Sequence, residues 1–180
     1  MKPRPLLETE VKLRIPALAP LRPMLASLGF EERIPQQAEH SVLWDRGTEL
    51  FEQGSALRLR RYAGRAILTF KGPKQPHPEL KIRPEIETEV VDGEALAALL
   101  RALGYAPVLE MEKSRSVWER EDLEACLDET PFGCFLELEG DAAPIRLAME
   151  SLGLGADRIE PRSYPTLFHD AGLGLPGLQK

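Results

Sequence analysis

Along much of this chain apolar and polar residues take strict turns, and the polar ones are unusually often charged. In "LETEVKLRI", Leu7 to Ile15, Glu8, Glu10, Lys12 and Arg14 alternate with Thr9, Val11 and Leu13. Successive side chains of an extended strand point to opposite faces, so the four ionisable groups share one face and the apolar ones the other. The same period recurs: Arg58 and Arg60 in "ALRLRRY", Thr69 and Lys71 in "TFKG", Arg83, Glu85, Glu87 and Glu89 in "RPEIETE", Lys113 and Arg115 in "EKSRSVW", Glu137 and Glu139 in "FLELEG". The positions between are mainly Leu, Val, Ile, Phe or Trp.

One such strand is an ordinary solvated face, but six in one short chain call for a common cause. A closed or nearly closed barrel of about eight strands satisfies all of them, with a polar interior and an exterior covered by amphipathic helices. The remaining patterns supply those helices. Leu18, Leu21, Leu25 and Leu28 predict a helix over 16–30 that stops at Gly29, and Asp92 caps a second one carrying the stripe Leu96, Leu99, Leu100 and Leu103. "APIRLAMESLGL" predicts a third, and "SYPTLFHDAGL" a short terminal helical piece. Strands are predicted over 31–44, as a hairpin over 56–62 and 65–71 with its turn at Ala63-Gly64, and in "APVLEMEKSRSVWERE", "LEACLDE" and "GCFLELEG". Four prolines in "GPKQPHPELKIRP" predict an irregular loop before "EIETEVV" resumes as a strand. The fold class is α+β, largely antiparallel.

Composition narrows the function. A chain of 180 residues with 43% hydrophobic content suits one core and a single domain over 1–180. Its 23 basic and 29 acidic residues give a net charge of −6, without blocks of like charge. That argues against nucleic acid or an anionic membrane as a partner of the outer surface. No apolar run is long enough to span a bilayer and Met1 to Leu7 lacks a secretory leader's apolar stretch, so a cytoplasmic protein is expected. Cys126 and Cys134 read as packing residues, and His40, His77 and His169 lack the spacing of zinc ligands. Trp44, Trp118 and Tyr62 are expected to pack between barrel and helices rather than to stack on a ligand ring.

Charges buried in a barrel cost several kcal/mol each unless they are paired, hydrated or ligated. A lining of mixed sign suits a polyanion that Lys and Arg grip directly, brought in with a divalent cation that the carboxylates hold.

Several of these stretches together resemble the CYTH superfamily, the triphosphate tunnel metalloenzymes, which includes class IV adenylate cyclases, thiamine triphosphatases and inorganic triphosphatases. Glu8-Thr9-Glu10-Val11-Lys12 resembles the family signature. "LWDRG" with Asp45, "LRLR", "TFKGP", "RPEIETE", "KSRSVW", "CLDETPFGCFLELEG" and "SYPTLF" with Ser163 and Tyr164 agree in order and spacing, from residue 8 to about 168. Pro84, inside the R-x-E-x-E stretch, departs from the pattern, since a proline lacks a ladder donor; the strand is expected to start only at Glu85 or to lie at an edge.

The resemblance implies an eight-stranded antiparallel tunnel that binds a triphosphate-containing small molecule with Mg²⁺ or Mn²⁺, in a monomer or homodimer. Lys12, Arg58, Arg60, Lys71, Lys113 and Arg115 are the expected phosphate ligands, with Arg14 and Arg83 as second choices. Glu8, Glu10, Glu137 and Glu139 are the expected metal ligands, followed by Asp128. Glu85, Glu87 and Lys113 are the candidates for catalytic roles, Glu85 as a general base. Three activities compete: hydrolysis of inorganic or a small organic triphosphate, which is favoured; cyclisation of ATP to cyclic AMP and pyrophosphate; and polyphosphate binding without turnover. The chain length and "EPRSY" look like the cyclase branch, whereas "FLELE" with both acids suits the triphosphatases.

Overall fold

The computed structural model describes residues 7–173. Eight antiparallel strands close into a barrel: β1 (Leu7–Ile15), β2 (Glu31–Asp45), β3 (Ala56–Tyr62), β4 (Arg65–Lys71), β5 (Lys81–Val90), β6 (Ala106–Arg120), β7 (Leu123–Thr130) and β8 (Gly133–Gly140). Around the barrel they follow the order β1-β5-β4-β3-β2-β6-β7-β8. The helices are α1 (Leu21–Ser27), α2 (Glu49–Glu52), α3 (Gly93–Ala102), α4 (Ala142–Ser151) and α5 (Tyr164–Asp170), with a 3₁₀ turn over Ala156–Arg158.

The hydrophobic core lies outside the barrel, between strands and helices. Val11, Leu13, Leu127, Leu136 and Leu138, all on outward positions, pack with Leu25 of α1 and Ile145 and Ala148 of α4. On the opposite flank Trp44 and Leu59 pack with Ala97 and Leu100 of α3. The Asp92 carboxylate caps α3, accepting from the Glu94 and Ala95 amides. Trp44 and Trp118 thus pack where expected. Tyr62 does not: it sits on the inward parity of β3 and clusters with Val117 and Cys126 inside the barrel, its hydroxyl donating to the Arg115 carbonyl at 2.9 Å.

Four elements differ from expectation. The first helix is seven residues rather than fifteen, because Pro20 occupies its N-cap and Pro16 lies before it, and prolines cannot donate to a preceding turn. The four-residue α2 and the 3₁₀ turn leave too little periodicity to be read from sequence. Strand β5 begins at Lys81, not Glu85, and in a closed barrel it has no free edge. It pairs with β1 through Pro84↔Leu7 to Lys81↔Glu10 and with β4 from Glu85 onward. Pro84 stands where the strand changes partner, so its missing N–H interrupts neither ladder, and its carbonyl still accepts from the Gly72 amide at 2.8 Å.

Leu136 is 0% exposed and Leu99, on α3, is 53% exposed. Leu136→Ala should therefore cost about 2–5 kcal/mol in urea unfolding, and Leu99→Ala under about 1 kcal/mol. Equal losses would show that the core does not lie outside the barrel.

Candidate active site in the tunnel

The inward positions of the strands surround a cavity of about 530 Å³. Of the charged side chains that line it, nine are basic and nine acidic. Most of them join two linked groups of contacts.

The first group is centred on Asp128, which is 0% exposed. Its carboxylate accepts from Arg115 Nε at 2.7 Å and Nη2 at 2.6 Å, from Lys113 Nζ at 3.0 Å and from the Tyr164 hydroxyl. Arg115 also reaches Glu137. Glu39, buried on β2, lies 3.6–3.7 Å from Arg60, Lys113 and Arg115. Burial pushes the Glu39 carboxyl up, but Lys113, Arg115, Arg60 and Arg58 outweigh it and hold it below the usual carboxylate range. The Tyr164 ring, at the start of α5, stacks over Lys12 Nζ at 3.6 Å and Lys113 Nζ at 4.1 Å. Lys12 donates to the Arg162 carbonyl, and burial, with Lys81 and Lys113 nearby, lowers its pKa to about 7 despite Glu137 and Glu10.

The second group lies where β1, β4 and β5 meet. Lys71 donates to Glu85 and stands 3.6 Å from Glu8, while Lys81 donates to Glu10 at 3.1 Å. Burial raises the Glu8 pKa to about 7; Lys71 opposes the shift, and Glu85 and Glu10 add to it as like charges, Glu85 also by a hydrogen bond. Arg60 and Thr69 both donate to Glu87. Arg83 donates to the carbonyls of Gly72 and, at 3.5 Å, Gly54, tying the segment after β4 to the one before β3.

Arg58 stands apart. Its Nε is buried without a hydrogen-bond partner, and its guanidinium joins no ion pair among the described residues. Burial and Arg60 lower its pKa, against the pull of Glu39 and Glu85 from beyond ion-pair distance. A guanidinium without a direct hydrogen-bonded partner inside a closed barrel is costly unless a ligand completes it.

The structure brings every residue expected to bind phosphate or metal onto the inner face, in different circumstances. Asp128 already accepts four bonds, which fills a carboxylate's usual capacity, so it sits apart from the cavity-lining carboxylates Glu8, Glu10, Glu137 and Glu139. Arg14 lies at the rim, 43% exposed and paired with Glu160 at 3.1 Å. Glu89, on the alternating set of β5, is 54% exposed and paired with Arg65 outside the cavity. Asp45 accepts from the amides of Arg46, Leu50 and Phe51 and so fixes α2. Sequence reasoning missed Glu39, Lys74 and Lys81. Lys81 continues the alternation of Arg83 and Glu85 but lies in the proline-rich stretch; Glu39 is the single charge in "QQAEHSV", where Gln37, Glu39 and Ser41 still alternate.

Among the described residues, no three His, Cys, Asp or Glu side chains are preassembled as a metal cage. The donors nonetheless fit Mg²⁺ or Mn²⁺. Such ions take few carboxylates and complete their shell with phosphate and water, and carboxylates here come in facing pairs: Glu10 opposite Glu139 across β1 and β8, and Glu8 beside Glu85, where crowding favours a cation.

A family model described as the CYTH domain matches residues 6–164. The chain belongs to the CYTH family. Among its relatives it is 29% identical over 171 residues to a protein of Methanocaldococcus jannaschii named as a candidate adenylate cyclase, covering 88% of this chain and 97% of that one. It is 26% identical over 174 residues to adenylate cyclase CyaB of Aeromonas hydrophila, covering 89% and 87%. In fold it resembles a solved protein of Pyrococcus horikoshii, with a TM-score of 0.71, 28% identity and coverage of 91% and 99%. It also resembles a candidate adenylyl cyclase of Hippeastrum whose structure is described as revealing a dominant triphosphatase activity, with a TM-score of 0.68, 20% identity and coverage of 94% and 98%.

The site's electrostatics can be checked without turnover. Asp128→Asn strands Arg115 and Lys113 in the barrel and should cost about 3–5 kcal/mol in unfolding of the metal-free protein, whereas Glu89→Gln at the exposed pair should leave the unfolding transition nearly where it was. Equal effects would remove Asp128 from the centre of the network. Glu8 gives a pH signature. A folded pKa raised from 4.5 to about 7 contributes stability that is full below pH 4.5 and lost as pH rises through about 7. In excess chelator, Glu8→Gln should therefore gain on the parent protein as pH climbs across that window and hold level above it; a constant difference would refute the shift.

Proposed function

We propose that the tunnel binds a triphosphate together with a divalent cation and that the protein cleaves a phosphoanhydride bond of this guest by attack of water. The observation that carries the reading is a charge-balanced lining that holds, in Arg58, a cation with no ion pair within 4 Å among the described residues and a buried Nε without a hydrogen-bond partner, Glu39 and Glu85 acting on it only from farther away. A bare triphosphate carries four or more negative charges and would upset the balance of nine bases and nine acids. The same triphosphate with one or two divalent ions is close to neutral, supplying phosphate oxygens for the arginines and positive charge for the carboxylates. The enzymes of the CYTH family are generally divalent-metal dependent.

Phosphoryl transfer asks a protein mainly for positioning and charge stabilisation. Arg58 and Arg60 offer planar forks, and Lys12, Lys71, Lys113 and Arg115 offer charge from the surrounding strands. Arg83 stands near the mouth. Asp128 acts as a positioning residue, fixing Lys113 and Arg115 so that they present charge without moving. Glu8, Glu10, Glu137 and Glu139 would hold Mg²⁺ or Mn²⁺, which supplies charge neutralisation at the phosphate oxygens. Glu85, which stands beside Glu8 and is paired with Lys71, accepts the proton of the attacking water, and Glu87 keeps Arg60 aimed inward.

A second reading is supported by the relatives named adenylate cyclase. In it the 3′-hydroxyl of ATP replaces water, attacks the α-phosphorus and releases pyrophosphate. Both readings use the same grip.

The test is a panel of inorganic triphosphate, ATP and thiamine triphosphate with Mg²⁺ or Mn²⁺, resolving phosphate, pyrophosphate and cyclic AMP. Phosphate release that stops in excess chelator is the expected result, and Arg58→Ala should lower kcat/KM about 10- to 100-fold, the worth of a charge-assisted hydrogen bond. Cyclic AMP as the main product would establish cyclisation instead, and tight binding without turnover under any divalent ion would make the tunnel a polyphosphate-binding module.

A further inference from the structure

A second, smaller cavity lies on the outside of the barrel, a cleft of about 190 Å³ between α3 and strands β2, β3 and β6. Of its lining residues only Trp44 is shared with the tunnel cavity. Trp44 is 3% exposed, and its Nε1 is buried with no hydrogen-bond partner. An indole N–H can only donate, and a buried donor left unpaired is costly. Trp118 shows the ordinary solution: its Nε1 donates to Ser116 Oγ at 3.2 Å. No protein group does the same for Trp44.

A cation stands over the same ring. Arg101, exposed on the last turn of α3, has its Cζ 5.2 Å from the centroid of Trp44. Its place at the helix C-terminus suits the helix dipole, yet its guanidinium forms no ion pair or side-chain hydrogen bond among the described residues. The other charged groups of the cleft are matched with each other, Arg61 with Glu94 and His40 with Glu110. The uncommitted groups are therefore two donors at one ring, one of them cationic.

Their common acceptor has to be a small anion. Glu94 and Glu110 on the walls oppose a dianion such as phosphate, while Val42, Leu59 and Pro107 offer an apolar surface that a bare oxyanion leaves unused. A carboxylate carries a single charge and matches the guanidinium fork. We infer that the cleft is a binding site for a small organic monocarboxylate, whose carboxylate accepts from Arg101 and Trp44 Nε1 and whose hydrocarbon body lies on the apolar wall. This site is independent of the triphosphate reading of the tunnel.

The experiment follows the indole N–H resonances of the ¹⁵N-labelled protein, one for each of its two tryptophans, assigned by through-bond correlation. Butyrate is titrated against chloride at matched ionic strength, with and without inorganic triphosphate and Mg²⁺. Butyrate should move the Trp44 resonance saturably and leave that of Trp118, already bonded to Ser116, in place. The curve should be unchanged by triphosphate, and butyramide and phosphate should have little effect. Arg101→Gln, at an exposed position, should weaken butyrate binding about 10- to 100-fold, the worth of a charge-assisted hydrogen bond. A Trp44 shift no larger than with chloride, one that survives Arg101→Gln, or one that triphosphate displaces overturns the site. Phosphate or butyramide binding as tightly as butyrate overturns the carboxylate class.

Discussion

Everything in this fold depends on turning the barrel's polarity inside out. A small barrel ordinarily fills its interior with apolar side chains; here the alternate positions that point inward are ionisable, and the apolar ones face outward. A strand with Leu13 and Val11 buried on its outer face cannot stand in water, so the outside must be covered. That is the work of α1, α3 and α4, whose short apolar stripes fit the outer surface of the barrel. The helices complete a core that the strands alone could not enclose.

The inward charges then have to satisfy one another. Breaking a buried pair costs more than the pair gains, because the abandoned partner cannot return to water. The tunnel answers with shared ligands instead of isolated pairs: Asp128 serves Arg115, Lys113 and Tyr164, and Glu39 lies among Arg60, Lys113 and Arg115. Such a network is rigid, which suits a reaction whose catalysis is positioning. It also explains why the strained members sit where a guest would arrive. Glu8 and Lys12 carry pKa values drawn toward 7 from opposite sides, and Arg58 has no ion pair within 4 Å among the described residues.

The alternation in β1, β3, β5, β6 and β8 made the barrel and most of its lining legible, because a period of two assigns each side chain to a face wherever the strand runs. Two kinds of feature stayed hidden. Residues whose own strand carried few charges, such as Glu39, became part of the site only through cross-strand neighbours, which sequence order does not reveal. Residues flanked by prolines, such as Lys81, have the sequence signature of a loop, because a proline normally excludes a central strand; that rule fails at Pro84, where the strand passes from pairing with β1 to pairing with β4. Roles were less legible than places: Asp128 and Asp45 have the chemistry of metal or phosphate sites, yet one anchors cations and the other staples α2.

The arrangement along the barrel gives the cavity a direction. Beyond Arg60, Arg115 and Asp128 the inward positions become Tyr62, Val117 and Cys126, which pack with Ile34 and Ala63 and fill the interior. Burial raises the Cys126 thiol's pKa well above the ordinary range, so it adds no charge there. At the other end the lining passes through Leu43 and Met111 to the exposed ring of Phe51. Charge therefore dominates the middle of the barrel, with an apolar cluster filling it on the β3, β6 and β7 side and apolar side chains standing beside Arg83 at the mouth.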